Sequence, residues 1–399
     1  MASITLKECP KVYMLETHRA KPPAATLQFL ESTRGRLGML AFQDVTARDR
    51  IGLPVFTCDR IRPDDSKTSH TGKGVSKTQA QVSLVMEAIE RYCSEFREEY
   101  HDRLIYGSYR DLRDEFSVQD PEELILPAFA DYQAKQARHW IWGVDLAANS
   151  DLLVPAEAVY HPFELDPHPL FRTHTNGLAT GNTLEEAVFH GMTEVIERDA
   201  WSIAKYHNAM NAALTVDERP EHQFLRDIIQ KFEDAAVAVT VRDLTTDLGV
   251  PVIAAFSQDA RQPDLMPFDG FGAHLDPRVA MARALLELAA TRAFLLHKYG
   301  LAGLRTTSAQ YWEEPDGEDP RFQAHEWKAL GKVPSRYRND IRQDIATLLE
   351  MLEACGLKRT VVVALTRQDL GIPTVRVIIP GMEVYCFDRE RKGDRLFRS

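Results

Sequence analysis

The chain has 399 residues, 44% hydrophobic and 27% charged, an ordinary globular composition long enough for one large domain or two. Its 48 Lys and Arg against 59 Asp and Glu leave a formal charge of −11, which disfavours non-specific binding to nucleic acid but leaves room for a local phosphate site. Five cysteines (Cys9, Cys58, Cys93, Cys355 and Cys386) form no CxxC pair and do not read as a disulfide framework; with no signal-like start and no apolar run of about 18 residues, no membrane association is expected and a cytoplasmic location is.

In chain order, residues 1–40 read as a mixed opening with a helix through LQFLESTRGRL. Strand, turn and strand follow at 40–58, the turn running from Asp49 to Pro54. Next comes a glycine loop feeding a helix, GKGVSKTQAQVSLVMEAIERY, whose start is marked by Ser76 and Gln79 in a capping-box pattern. Residues 105–135 read as loops with short helices, and 139–160 as another strand, turn and strand. A second glycine loop, Thr175 to Gly181, opens a helix reaching about His207, with Thr183 and Glu186 repeating the box. A third cycle is fainter: a hairpin at 237–257, the loop FDGFGAH, an N-cap at Asp276-Pro277, and a helix ending at Gly300. After an acidic insertion, WEEPDGEDP, a last hairpin spans 360–381. Repeated hairpin, glycine loop and helix predict an α/β or α+β fold: a small extension at 1–60 packed on one compact domain at 61–399.

Aligning Ala80 with Ala187, an offset of 187 − 80 = 107, places Glu87 on Glu194, Glu90 on Glu197 and Arg91 on Arg198. At about 100° per residue, Ser83, Glu87, Glu90 and Arg91 share an arc of roughly 100°, and Glu186, His190, Glu194 and Glu197 one of about 80°. Taken alone, ExxER on a helix is a solvated face with weak ion pairs, GKG is a common tripeptide, and a single histidine such as His190 is ordinarily a satisfied core or surface group. Here loop, cap and ExxER recur together inside otherwise apolar helices. Clustered carboxylates need a cation between them, and an oxygen-only set suits Mg²⁺ better than zinc. Mg²⁺ is commonly shared with phosphate, which Arg91 and Arg198 could neutralise while the glycine loops let backbone N–H groups approach. Lys73 adds a movable charge. The third helix offers Arg283, Glu287 and Arg292, where Arg283 and Glu287 also make a plain i, i+4 pair. Cys93, three residues after Glu90, is the one cysteine placed near this chemistry.

These residues resemble the YcaO family, which uses ATP to activate a peptide backbone amide. The matching stretches are GKG at 72–74, SxxxExxER at 83–91, NGLATGNTLEEA at 176–187, ExxxHxxxExxER at 186–198 and RALxE at 283–287. The resemblance implies a YcaO-type fold with ATP and Mg²⁺ held between the helices. It makes Glu87, Glu90, Glu194 and Glu197 the metal ligands, with Glu90, Glu197, Arg91 and Arg198 central to catalysis. Lys73, Ser83, Glu87, Arg91, Glu186, His190, Glu194, Arg198, Glu287 and Arg292 would contact or organise the nucleotide. One departure is Ala290, where the family usually has glutamine. ETHRAKPPAATL, DVTARDRIGLPVF and IIPGMEVYCFDRERKGDR resemble the members associated with a TfuA partner, which form thioamides and so need a peptide or protein substrate, a sulfur donor and a TfuA-like partner. Dimerisation is implied by the family alone. An azoline-forming cyclodehydratase is the alternative, although the proline-rich tail common in that branch is missing. A carboxylate-bridged di-iron enzyme, which would want Glu-x-x-His pairs, and a non-catalytic ATP-binding accessory factor are the readings from other classes.

Overall fold

The computed structural model describes residues 4–31, 33–62, 65–311 and 319–398. Most of the acidic insertion therefore lies outside the described residues. In chain order these form β1 (Tyr13–Met14), β2 (His18–Arg19), α1 (Pro23–Leu30), β3 (Gln43–Asp44), β4 (Val55–Ile61), β5 (Lys67–Lys73) and α2 (Lys77–Ser94). Then come β6 (Ile105–Ser108), α3 (Tyr109–Leu112), β7 (Ala137–Asp145), β8 (Ser150–Pro155), β9 (Leu178–Thr180) and α4 (Leu184–His207). The remainder is β10 (Ala213–Thr215), α5 (Gln223–Asp234), β11 (Val237–Asp243), β12 (Val252–Asp259), β13 (Phe268–Ala273), α6 (Pro277–Tyr311), β14 (Trp327–Ala329), α7 (Ile341–Ala354), β15 (Val361–Ala364) and β16 (Thr374–Ile378). None of the described helices is long and apolar enough to cross a membrane.

The chain divides into two compact units, and α2 passes from one to the other between Ala88 and Ile89. The unit made of Met1–Pro10, Ile89–His207 and Arg338–Ser399 is built on a sheet of order β6-β7-β15-β16-β9, with β8 paired to β7. Helix α4 lies on β16 and β9, and α7 packs on α4. The other unit, Lys11–Ala88 and Asn208–Tyr337, holds the sheet β13-β12-β11-β10-β14 and the smaller sheet β3-β4-β5. Its core joins Leu225, Ile228 and Phe232 of α5 to Ile253 and Ala255 of β12 and Leu285 and Leu288 of α6. Residues 1–60 are shared, the first ten belonging to one unit and the rest to the other.

The mixed helix and sheet class and the expected hairpins are present. Gly52, Gly249 and Gly371 take φ of 72°, 68° and 65° in the three Asp-to-Pro turns, a conformation glycine adopts without strain. Gly300, with φ 63° and ψ 172°, stops the first run of α6, after which a second run continues to Tyr311. The stretch 105–135 carries β6 as well as short helices, α1 ends at Leu30, and α5 and α7 add to the four longer helices expected.

The glycine loops need correction. Gly72 lies in β5, Leu178–Thr180 is the strand β9, and FDGFGA is the whole of β13. A Cβ on Gly72 would fall on the Ala80 carbonyl and the Leu84 nitrogen; one on Gly272 would fall on the Ala280 carbonyl. One on Gly270 would meet the Ala284 carbonyl and the Leu288 nitrogen. These glycines let a strand lie directly against the backbone of the helix that follows it. In these two strands close packing, more than anion approach, explains the pattern.

Candidate active site

The first capping box closes on both sides, and the second closes on one, its glutamate reaching one residue further back. Ser76 Oγ accepts from the Gln79 amide at 3.3 Å and Gln79 Oε1 accepts from the Ser76 amide at 3.2 Å, fixing the start of α2. On α4, Thr183 Oγ1 accepts from the Glu186 amide at 3.2 Å, while the Glu186 carboxylate takes the Asn182 backbone and side-chain N–H groups at 2.7 and 2.9 Å. Glu186 is thereby buried in the cap.

Beyond the caps the helices share a pattern of exposure. Between Glu185 and Ala200, every residue of α4 is buried except His190, Glu194 and Arg198, each four after the last. Between Ala280 and Ala290, the exceptions on α6 are Arg283 and Glu287. On α2, Ser83, Glu87, Glu90 and Arg91 are half-buried beside buried Leu84, Val85, Ala88 and Ile89. Four residues advance a helix by about 400°, so each set is one narrow stripe. The stripes are in register: 194 − 87 = 107 and 287 − 87 = 200, the offsets that also relate Ala80 to Ala187 and Ala280. Glu87, Glu194 and Glu287 thus hold one position in three copies, and Ser83, His190 and Arg283 another.

The partners of these groups differ. In one unit, Glu194 Oε1 accepts from the Gly177 amide at 3.3 Å. Glu197 is buried, with Arg198 Nη2 3.4 Å from its Oε1, and the Arg198 guanidinium lies 5.2 Å from the Trp201 ring centre. Just beyond, Asp199 is fully buried; Arg395 Nη2 donates to its Oδ2 at 2.9 Å and the Glu383 amide to its Oδ1 at 2.9 Å, fastening the last residues of the chain to α4. In the other unit, Lys73 Nζ donates to Glu287 Oε2 at 2.8 Å, and His70 Nδ1 is 3.8 Å from Glu87 Oε1. Arg292 is buried against Asp49 at 2.8 Å and Asp259 at 2.9 Å, so its charge in this structure is met inside the core. Cys93 is also buried, and desolvation raises its thiol pKa, which argues against a sulfur-carrying role.

Arg376, Asp199 and Arg395 escaped the sequence reading. Arg376 sits in the apolar strand TVRVI and is fully buried; burial lowers its pKa to about 10, with the charges of Glu194 and Glu90 opposing that shift and Arg91 adding to it. An arginine amid β-branched residues was the signal available. Asp199 closes the second ExxER motif as its next residue.

Among the described residues, no three of His, Cys, Asp and Glu converge as a ready-made metal centre. The donor chemistry nevertheless fits Mg²⁺: Glu87, Glu90, Glu194 and Glu197 offer only carboxylate oxygens, three of them on half-buried side chains.

A family model described as YcaO cyclodehydratase, ATP- and Mg²⁺-binding, matches residues 71–383. An uncharacterized protein of Methanothermobacter thermautotrophicus is 37% identical over 96% of this chain and 99% of its own length. An uncharacterized protein in the tfuA 3′ region of Rhizobium leguminosarum bv. trifolii is 27% identical over 92% of this chain and 89% of its own. Among solved structures, YcaO from Methanopyrus kandleri bound with AMPPCP and Mg²⁺ superposes with a TM-score of 0.77 at 28% identity, covering 96% of this chain and 98% of that one. A heterocyclase in complex with substrate and cofactor gives 0.82 at 24% identity over 99% of this chain and 56% of its own, a likeness of fold.

Proposed function

The chain belongs to the YcaO cyclodehydratase family, ATP- and Mg²⁺-binding, and from that premise we propose that it phosphorylates the oxygen of a peptide or protein backbone amide and replaces that oxygen with sulfur. The observation that carries the reading is the register of the three stripes, which keeps Glu87, Glu194 and Glu287 at one repeated, half-buried position on the three helices. A merely structural repeat would have no need to keep carboxylates there.

Glu87, Glu90, Glu194 and Glu197 would hold the ions, and Mg²⁺ when bound supplies charge neutralisation at phosphate oxygens. Lys73, Arg91, Arg198 and Arg283 would be the cations that meet phosphate, and Ser83, His190 and Glu287 polar groups carried on the same three helices. Glu186 serves through the cap it forms, and Arg292 through Asp49 and Asp259. An amide is a poor electrophile because of its resonance. In the proposed reaction a sulfide-type nucleophile adds to the amide carbon, the resulting oxyanion takes the γ-phosphoryl group of ATP, and the C–O bond breaks as phosphate leaves with the former carbonyl oxygen. The residues contribute position and electrostatics, and no side chain need be a covalent nucleophile.

The thioamide branch is supported by the relative encoded in a tfuA 3′ region, which points to a TfuA-like partner delivering sulfur or substrate. A cytoplasmic homodimer is part of the same reading. The second reading is azoline formation, with a Cys, Ser or Thr of the peptide as nucleophile, and the likeness to heterocyclases such as TruD favours it. Reconstitution with ATP, Mg²⁺, sulfide and candidate peptides separates them. A gain of about 16 Da is the oxygen-to-sulfur exchange of the thioamide reaction, whereas loss of water marks the azoline. Glu90→Gln and Glu197→Gln should abolish ATP turnover with the fold intact; normal turnover in both would remove the metal-ligand assignment.

A further inference from the structure

We infer that Arg376 is a positioning residue that sets the Glu194 carboxylate through one peptide group, an inference that rests on reading Glu194 as a metal ligand. Arg376 Nη1 donates to the Asn176 carbonyl at 2.7 Å, Nε to the Val159 carbonyl at 3.2 Å, and Nη2 to the His174 carbonyl. The other end of the Asn176–Gly177 peptide is the Gly177 N–H, which donates to Glu194 Oε1 at 3.3 Å. Guanidinium, peptide and carboxylate therefore form a chain across a single planar unit.

The neighbouring residue fixes the peptide that follows. The Val377 amide donates to the Gly177 carbonyl at 2.7 Å, and Gly177 has φ 76° with no room for a Cβ against the Val377 carbonyl. Two consecutive residues of β16 thus hold the two peptides that flank Gly177, leaving its N–H little freedom to turn away from Glu194. A cation on the carbonyl oxygen polarises the peptide and strengthens the N–H as a donor. The acceptors around Arg376 are neutral carbonyls; at longer range Glu194 and Glu90 attract its positive charge and Arg91 opposes it. Such an arrangement resembles the outer contacts that orient ligating carboxylates, whose loss typically weakens metal affinity by about 10–100-fold.

Positioning and simple charge balance predict opposite signs. If Arg376 only balanced charge, Arg376→Met would remove a cation near the carboxylates and tighten binding of a divalent ion; if it positions Glu194, binding weakens. The probe is Mn²⁺ alone, titrated into the full chain and followed by the electron paramagnetic resonance of the free ion. The expected result is about tenfold or greater weakening in Arg376→Met and also in Arg376→Lys, which keeps the charge but loses the planar fork. Tighter or unchanged Mn²⁺ affinity overturns the inference. Should Arg376→Met fail to fold, Arg376→Lys decides, together with a resonance that reports the peptide itself. Asn176–Gly177 is the only Asn-Gly pair in the chain, so protein labelled with carbonyl-¹³C Asn and ¹⁵N Gly gives one amide correlation. Glu194→Gln and Arg376→Lys should both shift it, and an unmoved signal in either overturns the relay. Absence of Mn²⁺ binding in the wild type would bring down the reading of Glu194 itself, whereas wild-type affinity in the Arg376 variants brings down the inference alone.

Discussion

Lys73 and Glu287 are joined by an ion pair of 2.8 Å, linking the last residue of β5 to the middle of the α6 stripe. Both side chains keep about a quarter to a third of their exposure, so the pair is worth roughly 0–1 kcal/mol to stability. On the proposed reading the ammonium is held beside the stripe and would turn to phosphate when nucleotide binds. Lys73→Gln should leave the melting temperature nearly unchanged while raising the KM for ATP about tenfold, an effect of about 1.4 kcal/mol. An unaltered KM would mean that Lys73 does not meet the nucleotide.

Gly72 tests the strand-on-helix account. Gly72→Ala puts a methyl group where the Ala80 carbonyl and the Leu84 backbone already stand. Overpacking of this kind costs about 1–3 kcal/mol, and more where backbone must move. Urea unfolding should show a lower midpoint with unchanged slope. A loop glycine poised for anions would instead tolerate alanine in stability and lose nucleotide affinity.

Asp199 and Arg395 are both buried and bidentate, with Nε to Oδ1 and Nη2 to Oδ2 each at 2.9 Å. Asp199→Ala leaves an uncompensated cation in the core, a loss of roughly 3–5 kcal/mol. Limited proteolysis should then cleave in 383–398 before the rest of the chain, while Arg395→Met, removing the cation, costs less.

Two buried histidines set an acid limit. His18 and His274 meet edge to face at 4.7 Å, and burial lowers the pKa of His18 to about 3 and of His274 well below its usual value. Both stay neutral in the folded state while the unfolded chain takes up protons below about pH 6.5. The contribution of these two groups to stability is therefore full above that pH and is lost as the pH drops from there towards 3. Chemical denaturation across this range should show the decline, and His18→Gln should flatten it.

The helices and hairpins were legible because apolar periodicity, capping residues and Asp-to-Pro turns are local signals. The ExxER stripes were legible because an apolar helix displays its few polar residues at a fixed spacing. What could not be read was how glycine serves: Gly72 and Gly272 look alike as loop or strand residues until a helix backbone is laid against them. Arg292 and Arg376 show the same gap in reverse. One, expected at the nucleotide, is also met by Asp49 and Asp259, 243 and 33 positions away; the other, hidden in an apolar strand, feels the charges of Glu194, Arg91 and Glu90. Pairings of that separation leave no mark in one sequence.

The most direct test of amide activation follows an oxygen atom. A substrate peptide carrying ¹⁸O in the target carbonyl, turned over with ATP, Mg²⁺ and sulfide, should deliver its label to inorganic phosphate in step with product. Label retained in the peptide, or unlabelled phosphate released while product forms, would contradict transfer of the phosphoryl group to the amide oxygen.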